Sequence, residues 1–360
     1  MFFVLFQIFG IEVKRIKKRS ILHFAKNCPK YFVSIVIVIE LALQMQCFIL
    51  LSDKTDELAH IGLTVLLLIV YGLIYRRRQA MLLVIKEIDR ANKKLQLIDF
   101  KGYKYPFIAI FVILVVLTSI WTVWFFVNEG NMIEDAENIL KMNSTINFLK
   151  IEPSYYLLVF RAIAWLDYFI RCSILSFFTL YYSLVCSFIR HILRLLLKQL
   201  KVDCLPDHLK EVLYIYADTT NCVERMDKEF SLPVCLIVLM CMIGVFWGGY
   251  RVVFQKNMTT ENLLPLLYCA IFYSFLLILI ISSAALTNES INETKTFMHS
   301  LKCKIPLLFQ EIDLNCTRNV LHSSSLTLWK IYEIDRSLLF SCIGALLTYG
   351  ILIGTLGKES

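Results

Sequence analysis

The sequence predicts an all-α membrane protein of seven transmembrane helices, with the N-terminus in the cytoplasm and the C-terminus outside. Three observations predict it. Of 360 residues 58% are hydrophobic and only 18% are charged, well below the roughly 25% of a soluble domain. The apolar residues gather into runs near the ~20 residues that a bilayer-crossing helix needs. Most of the 37 Lys and Arg fall in alternate connecting segments, which fixes orientation because basic residues near span ends resist translocation.

The chain begins with an apolar run, Met1 to Ile11, that has no basic residue before it and no small-residue cleavage site after it, so no cleaved signal peptide is expected. A basic segment follows (Lys14, Arg15, Lys17, Lys18, Arg19, then Lys26 and Lys30) and stays cytoplasmic. Single spans are expected at about 32–51, 58–75, 106–127, 164–189, 232–254, 263–286 and 338–356. The segments 190–231 and 287–337 are expected as cytoplasmic helical loops of this single membrane domain. In the first of these, Pro206 and Asp207 give a start signal with Asp as N-cap. Leu209, Val212, Tyr216, Thr219, Val223, Met226 and Phe230 then recur in steps of three and four, a coiled-coil-like seam. It can bury within the chain or between subunits.

Charge sorts the loops. The N-terminal segment and the second-to-third, fourth-to-fifth and sixth-to-seventh connections are basic, while the other loops offer only Lys54, Lys141, Lys150 and Lys256. Those other loops carry Asp53, Asp56, Glu57, Glu129, Glu134, Asp135, Glu137, Glu152 and Glu261, an acidic rim that concentrates cations if a pore lies behind it. Asn143 and Asn257 head glycosylation sequons there; Asn288, Asn292 and Asn315 head others on the expected inner side. None of the twelve Cys falls in an outer loop, so no disulfide framework is expected. His299, Cys303, Cys316 and His322 match no familiar zinc spacing, and neither a metal nor a cofactor is expected.

Ionisable residues at membrane depth are costly and normally face protein or water. Glu40 lies in the first span, and Arg161, Asp167 and Arg171 lie in the outer part of the fourth, beside Tyr156, Trp165 and Tyr168. Asp167 and Arg171 are four apart and can pair along one helix face. Trp121 and Trp124 in the third span read as interfacial anchors.

The last span is uncharged, yet it interrupts its Leu and Ile with Ser341, Gly344, Thr348, Tyr349, Gly350, Gly354 and Thr355. At helical spacing Gly344, Thr348, Leu352 and Thr355 make one stripe. Close packing against another helix explains such a stripe, with Gly350 and Gly354 as a small-xxx-small pair; a water-lined face explains it too. Thr348-Tyr349 followed by five residues resembles the signature that ends the insect gustatory receptors, Thr-Tyr, five hydrophobics, Gln-Phe. Here Thr355 and Leu356 stand at the Gln-Phe positions. The approach is similar as well: Tyr332, Ile334, Asp335, Leu338 and Leu339 match the family's Phe-x-hydrophobic-Asp-x-x-Leu-Leu run, with Lys330 where many members have Gly.

The resemblance implies a ligand-gated cation channel of four subunits with the last helices around one axis. On it, Leu352 forms a hydrophobic constriction and Thr355 occupies the place of the family's polar Gln. It puts the tastant pocket in the outer half of the helices, which makes Trp165, Asp167, Tyr168 and Arg171 pocket candidates; an Asp–Arg pair that only fixes packing is the alternative. Implied partners are a small-molecule tastant, with bitter or other repellent compounds foremost, the bilayer of a sensory neuron's plasma membrane, and other gustatory receptor subunits in a homo- or heterotetramer. No nucleic-acid partner is expected.

Other classes fit less well. The six His fall in loops or at span ends, and no Gly-x-Ser-x-Gly, His-Glu-x-x-His or phosphate-cradling Gly loop occurs, so no enzyme is read. An internal C-terminus would be needed for a G-protein-coupled receptor, and the third and seventh spans lack its triplet and Asn-Pro-x-x-Tyr motifs. An odorant-type channel is the first alternative. A transporter is a distant second, since seven spans do not divide into the repeats that such folds use.

Overall fold

The computed structural model describes residues 33–45, 54–94, parts of 109–119, 153–202, 206–254, 260–304 and 324–356. They are helical apart from the turn at Arg77 and the hairpin segment described below. In order they are α1 (Val33–Met45), α2 (Lys54–Arg76), α3 (Arg78–Lys94), α4 (Pro153–Val202), α5 (Pro206–Phe254), α6 (Thr260–Lys304) and α7 (Arg336–Leu356). The described residues in each of the seven expected spans are helical, including those within 109–119. Among the described residues three stretches are long and apolar enough to cross a membrane alone: Trp165–Lys201, Leu209–Val253 and Leu266–Leu301.

The three central helices are much longer than their spans. With 50 residues in α4, and 1.5 Å of rise per residue, it extends about 75 Å, against about 30 Å of bilayer hydrocarbon. The segments expected as cytoplasmic helical loops are therefore largely continuations of the spans. Residues 190–202 finish α4, 206–231 begin α5, and 287–304 finish α6. Two details differ from the sequence expectation. The helix α5 starts at Pro206 itself, so Asp207 is not its N-cap; proline at the first helical position wastes no donor. And 287–337 is not helical to its end, because a two-stranded antiparallel hairpin of β1 (Thr327–Leu328) and β2 (Tyr332–Glu333) precedes α7.

The chain forms two compact units, each with its own packing. The first takes α1, α2, the described residues of 109–119, and the parts of α4 to Phe177, of α5 from Trp247 and of α6 to Ile271. The second takes α3 from Gln79, Phe178 to Phe246 of α4 and α5, and everything from Phe272 on. In the second unit the seam of α5 is buried at Leu209, Tyr216, Thr219, Val223, Met226 and Phe230. It packs within the chain: Phe230 meets Phe178 and Tyr181 of α4 edge-on, with ring centroids 6.1 and 5.8 Å away. The Tyr181 hydroxyl donates to the Met81 carbonyl of α3 at 3.0 Å, and Thr287 of α6 donates to the Cys186 carbonyl of α4 at 3.1 Å. Each spends a buried hydroxyl that would otherwise oppose folding. At Gly244 of α5 a Cβ would lie 2.3 Å from the Tyr273 ring of α6, so only glycine permits that approach.

Candidate functional site

The pocket candidates lie in the first unit. On α4 Asp167 and Arg171 face the same way, and Nη2 of Arg171 meets Oδ2 of Asp167 at 2.7 Å with both side chains nearly excluded from solvent. The same Nη2 donates to Thr64 Oγ1 of α2 at 3.0 Å. The Thr64 hydroxyl lies 2.9 Å from both Gln44 Oε1 of α1 and the His60 carbonyl, and Gln44 Nε2 donates to Glu40 Oε1 at 3.1 Å. A polar chain Glu40–Gln44–Thr64–Arg171–Asp167 thus ties three apolar helices together. Its ions are tolerated at depth because each is paired or hydrogen-bonded. Asp167 Oδ1 is buried and, among the described residues, accepts no hydrogen bond.

The other two candidates point elsewhere. The Tyr168 hydroxyl lies 3.6 Å from Cys269 Sγ of α6, and half-buried Trp165 stacks on Phe169 of its own helix at 5.9 Å. The structure joins Asp167 with Arg171 and leaves Trp165 apart from that pair. Thr64 and Gln44 carry no signal in the sequence, because an uncharged polar residue in a span is unmarked until its partners are known.

The second candidate region is the base of α7. Asn288 of α6 is fully spent on the open end of the hairpin: its Nδ2 donates to the carbonyls of Leu326 (2.9 Å) and Ile334 (2.8 Å), and its Oδ1 accepts from Leu326 N–H (2.8 Å). A buried amide so used is no acceptor for a glycan, although it heads a sequon. Asp227 of α5 accepts from both the backbone N–H and the hydroxyl of Thr327, each at 2.7 Å. Burial pushes its carboxyl above the usual range, and the Thr327 bonds offset part of that. Trp329 N–H reaches the Ser231 carbonyl of α5. The turn itself carries Trp329 and Lys330 at φ 48° and 58°, the left-handed region that glycine occupies without strain. That is why glycine suits the position that Lys330 fills here.

Asp335 caps α7. Its Oδ1 accepts from Leu338 N–H at 3.0 Å, and its two oxygens accept from the Ser337 hydroxyl at 2.8 and 2.9 Å. The Ser337 hydroxyl foremost, then the Leu338 N–H, hold its carboxyl below the ordinary value. An anion at a helix N-terminus also meets the positive end of the macrodipole. Arg336, the first residue of α7, pairs with Glu289, the neighbour of Asn288 on α6.

Above the cap α7 is scarcely covered. Only Cys342 is buried among its described side chains, while Phe340 is 72% exposed, Leu347 62%, Tyr349 60% and Ile351 64%. A Cβ at Gly344 or Gly350 would meet nothing within 4 Å. At those two glycines the small-residue stripe is therefore not a packing seam among the described residues. The Thr348 hydroxyl returns to the Gly344 carbonyl at 2.8 Å, which leaves the stripe weakly polar. Leu352 is half-exposed on the same stripe. The side chains of Thr355 and Leu356, and the residues Asn143, Asn257, Trp121, Trp124, Cys316 and His322, lie outside what the structure describes.

With this geometry in view, the comparison that decides the family is one of sequence. Residues 3–353 match the 7tm Chemosensory receptor family. The chain belongs to that family. It is a receptor family rather than an enzyme family. The fold agrees: the insect olfactory receptor OR5 from Machilis hrabei superposes with a TM-score of 0.69 at 12% identity, covering 98% of this chain and 96% of that one. The same receptor in complex with eugenol gives 0.64 at 11% identity, with 99% and 97% covered. No curated protein sequence matches the chain. This chemosensory receptor is thus a multi-helix membrane protein with the insect olfactory receptor fold.

Proposed function

We propose that this chemosensory receptor chain is a gustatory-type subunit of a ligand-gated cation channel in the plasma membrane of sensory neurons, opened by bitter or other repellent small molecules. The observation that carries the reading is α7: an uncharged helix with a small, weakly polar stripe and large apolar side chains that its own chain does not cover. Four such helices around an axis would cover one another's apolar flanks and turn Gly344, Thr348, Leu352 and Thr355 to a pore. The chain crosses seven times, with the N-terminus inside, the C-terminus outside, and the sequons at Asn143 and Asn257 on the outer side. Leu352 supplies the constriction that closes by dewetting, and Thr355 the polar ring beside it. Trp165, Asp167, Tyr168 and Arg171 serve the ligand pocket. There the free acceptor Oδ1 of Asp167 would take a ligand hydroxyl or amine, and the aromatic rings would cover its apolar part. Differential contact with the ligand in the open arrangement drives the helices apart.

A second reading, an odorant-type receptor, is favoured by the fold shared with a eugenol-bound olfactory receptor. Whole-cell recording from cells expressing the full chain, alone and with other gustatory subunits, tests both against a panel of bitter compounds and volatile phenols. Leu352→Ala is expected to raise current without ligand, and Thr355 substitutions to alter the reversal potential in mixed cations. If neither changes any current, the pore assignment fails. Currents evoked by volatile phenols alone would move the chain to the odorant-type reading.

A further inference from the structure

We propose that Asn288 and Asp227 are positioning residues that latch the pore helix to α6 and α5 and hold it in the closed arrangement. The proposal rests on the channel reading above and assigns a place where gating is restrained. The grip is two-sided. Asn288 binds both strands at the open end of the hairpin through three hydrogen bonds, and Ile334, one of its partners, sits directly before the cap Asp335. Asp227 holds the Thr327 end from the neighbouring helix with two more. One position further along α6, Glu289 pairs with Arg336 at the first turn of α7.

What makes this a latch rather than ordinary packing is the contrast with the helix it controls. Among the described side chains of α7 that are not exposed, Leu338, Leu339, Cys342, Ala345 and Leu346 make one narrow strip. The attachment of α7 is therefore concentrated at the hairpin, and no residue lies between Ile334, which Asn288 grips, and Asp335, which caps the helix. The long helix α6 that carries Asn288 also carries Cys269, the neighbour of pocket candidate Tyr168.

The test is ligand-free current per receptor at the cell surface, recorded from the full chain, with surface amount measured by antibody to an external tag. Asn288→Ala, Asp227→Ala and Thr327→Val are each expected to raise that current about tenfold, within the usual range of coupling between sites. Thr327→Ser and Asp227→Asn keep the donor and the acceptor and should match the wild type. Asn288→Ala combined with Asp227→Ala should exceed the larger single effect only slightly, because both release one hairpin. Leu352→Ala is the control that separates the claims. If it raises current and the latch variants at equal surface amount do not, the latch is overturned alone. If no variant, Leu352→Ala included, passes current, the channel reading falls and takes the latch with it. Should Asn288→Ala fail to reach the surface, the contrast between Thr327→Val and Thr327→Ser decides the matter.

Discussion

The second half of α4, from Phe178 on, and α7 as far as Leu352 are both apolar, and they live in opposite surroundings. From Phe178 to Leu200 almost every apolar side chain of α4 is buried within its own chain, with Tyr181, Val185, Cys186 and Ile189 wholly so. In α7, Phe340, Ile343, Leu347, Tyr349, Ile351 and Leu352 are exposed. Hydrophobicity alone cannot separate the two. What separates the buried helices from α7 is where the small residues go: Gly244 of α5 is needed because Tyr273 of α6 presses against it, while a Cβ at Gly344 or Gly350 would meet nothing among the described residues. A small residue that admits no neighbour from its own chain points to a partner subunit or to water.

The sharpest way to break this comparison is to remove equal volumes from each helix. Phe178→Ala should cost about 3–5 kcal/mol of subunit stability, read as a large fall in thermal midpoint in detergent and in surface amount. Phe340→Ala on α7 should leave the isolated subunit's midpoint nearly unchanged and weaken assembly instead; an equal loss from both would mean that α7 is buried in its own chain. Next in size is the intramembrane pair. Arg171→Met leaves the Asp167 carboxylate buried without its partner and should cost about 3–5 kcal/mol, whereas Arg171→Met with Asp167→Leu should recover most of it. Failure of the double variant to recover would assign the pair a role beyond packing. Its ligand response then tells whether Asp167 is also a binding group.

Smaller effects sharpen the base of α7. Lys330→Gly removes the strain of a left-handed residue and should stabilise the hairpin by about 1 kcal/mol. Asp335→Ala removes the cap and should cost about 1 kcal/mol. The two hairpin acids also differ in pH response. The Asp335 carboxyl is held below its ordinary 3.8, so its contribution is present above that pH and is lost as pH falls through the lower folded value. The Asp227 carboxyl is raised above 3.8 by burial, so its charged form works against folding, and stability falls as pH rises from 3.8 through the raised folded value. Melting curves in mildly acidic buffer should therefore show Asp227→Asn flattening a slope that Asp335→Asn does not.

Much of this was legible in sequence, for identifiable reasons. Helix periodicity carried the α5 seam from Leu209 to Phe230, and the spacing of four carried the Asp167–Arg171 pair, because both are local relations along one helix. The hairpin was not legible. Its turn places Trp329 and Lys330 where a Gly or Asn would have signalled a left-handed conformation, so 287–337 read as helical loop. Nor were the roles of Asn288, Asp227, Thr64 and Gln44 legible, since their partners lie on other helices far along the chain. The Asn-Glu-Ser triplet at 288 even suggested a different chemistry. Asp335 stood out only through resemblance, and the structure gives the physical reason: it is the cap on which α7 begins.

A pore lined by α7 requires that the stripe of Gly344, Thr348 and Leu352 face water. Single cysteines placed along α7 in the full chain, probed with a membrane-impermeant thiol reagent during current recording, test it directly. Reagent should alter current at Gly344, Thr348 and Leu352 and leave it unchanged at Ile343, Leu347 and Tyr349, which lie on other faces of the helix, with the native Cys342 silent as background. Equal modification on every face, or none on the stripe, would contradict it.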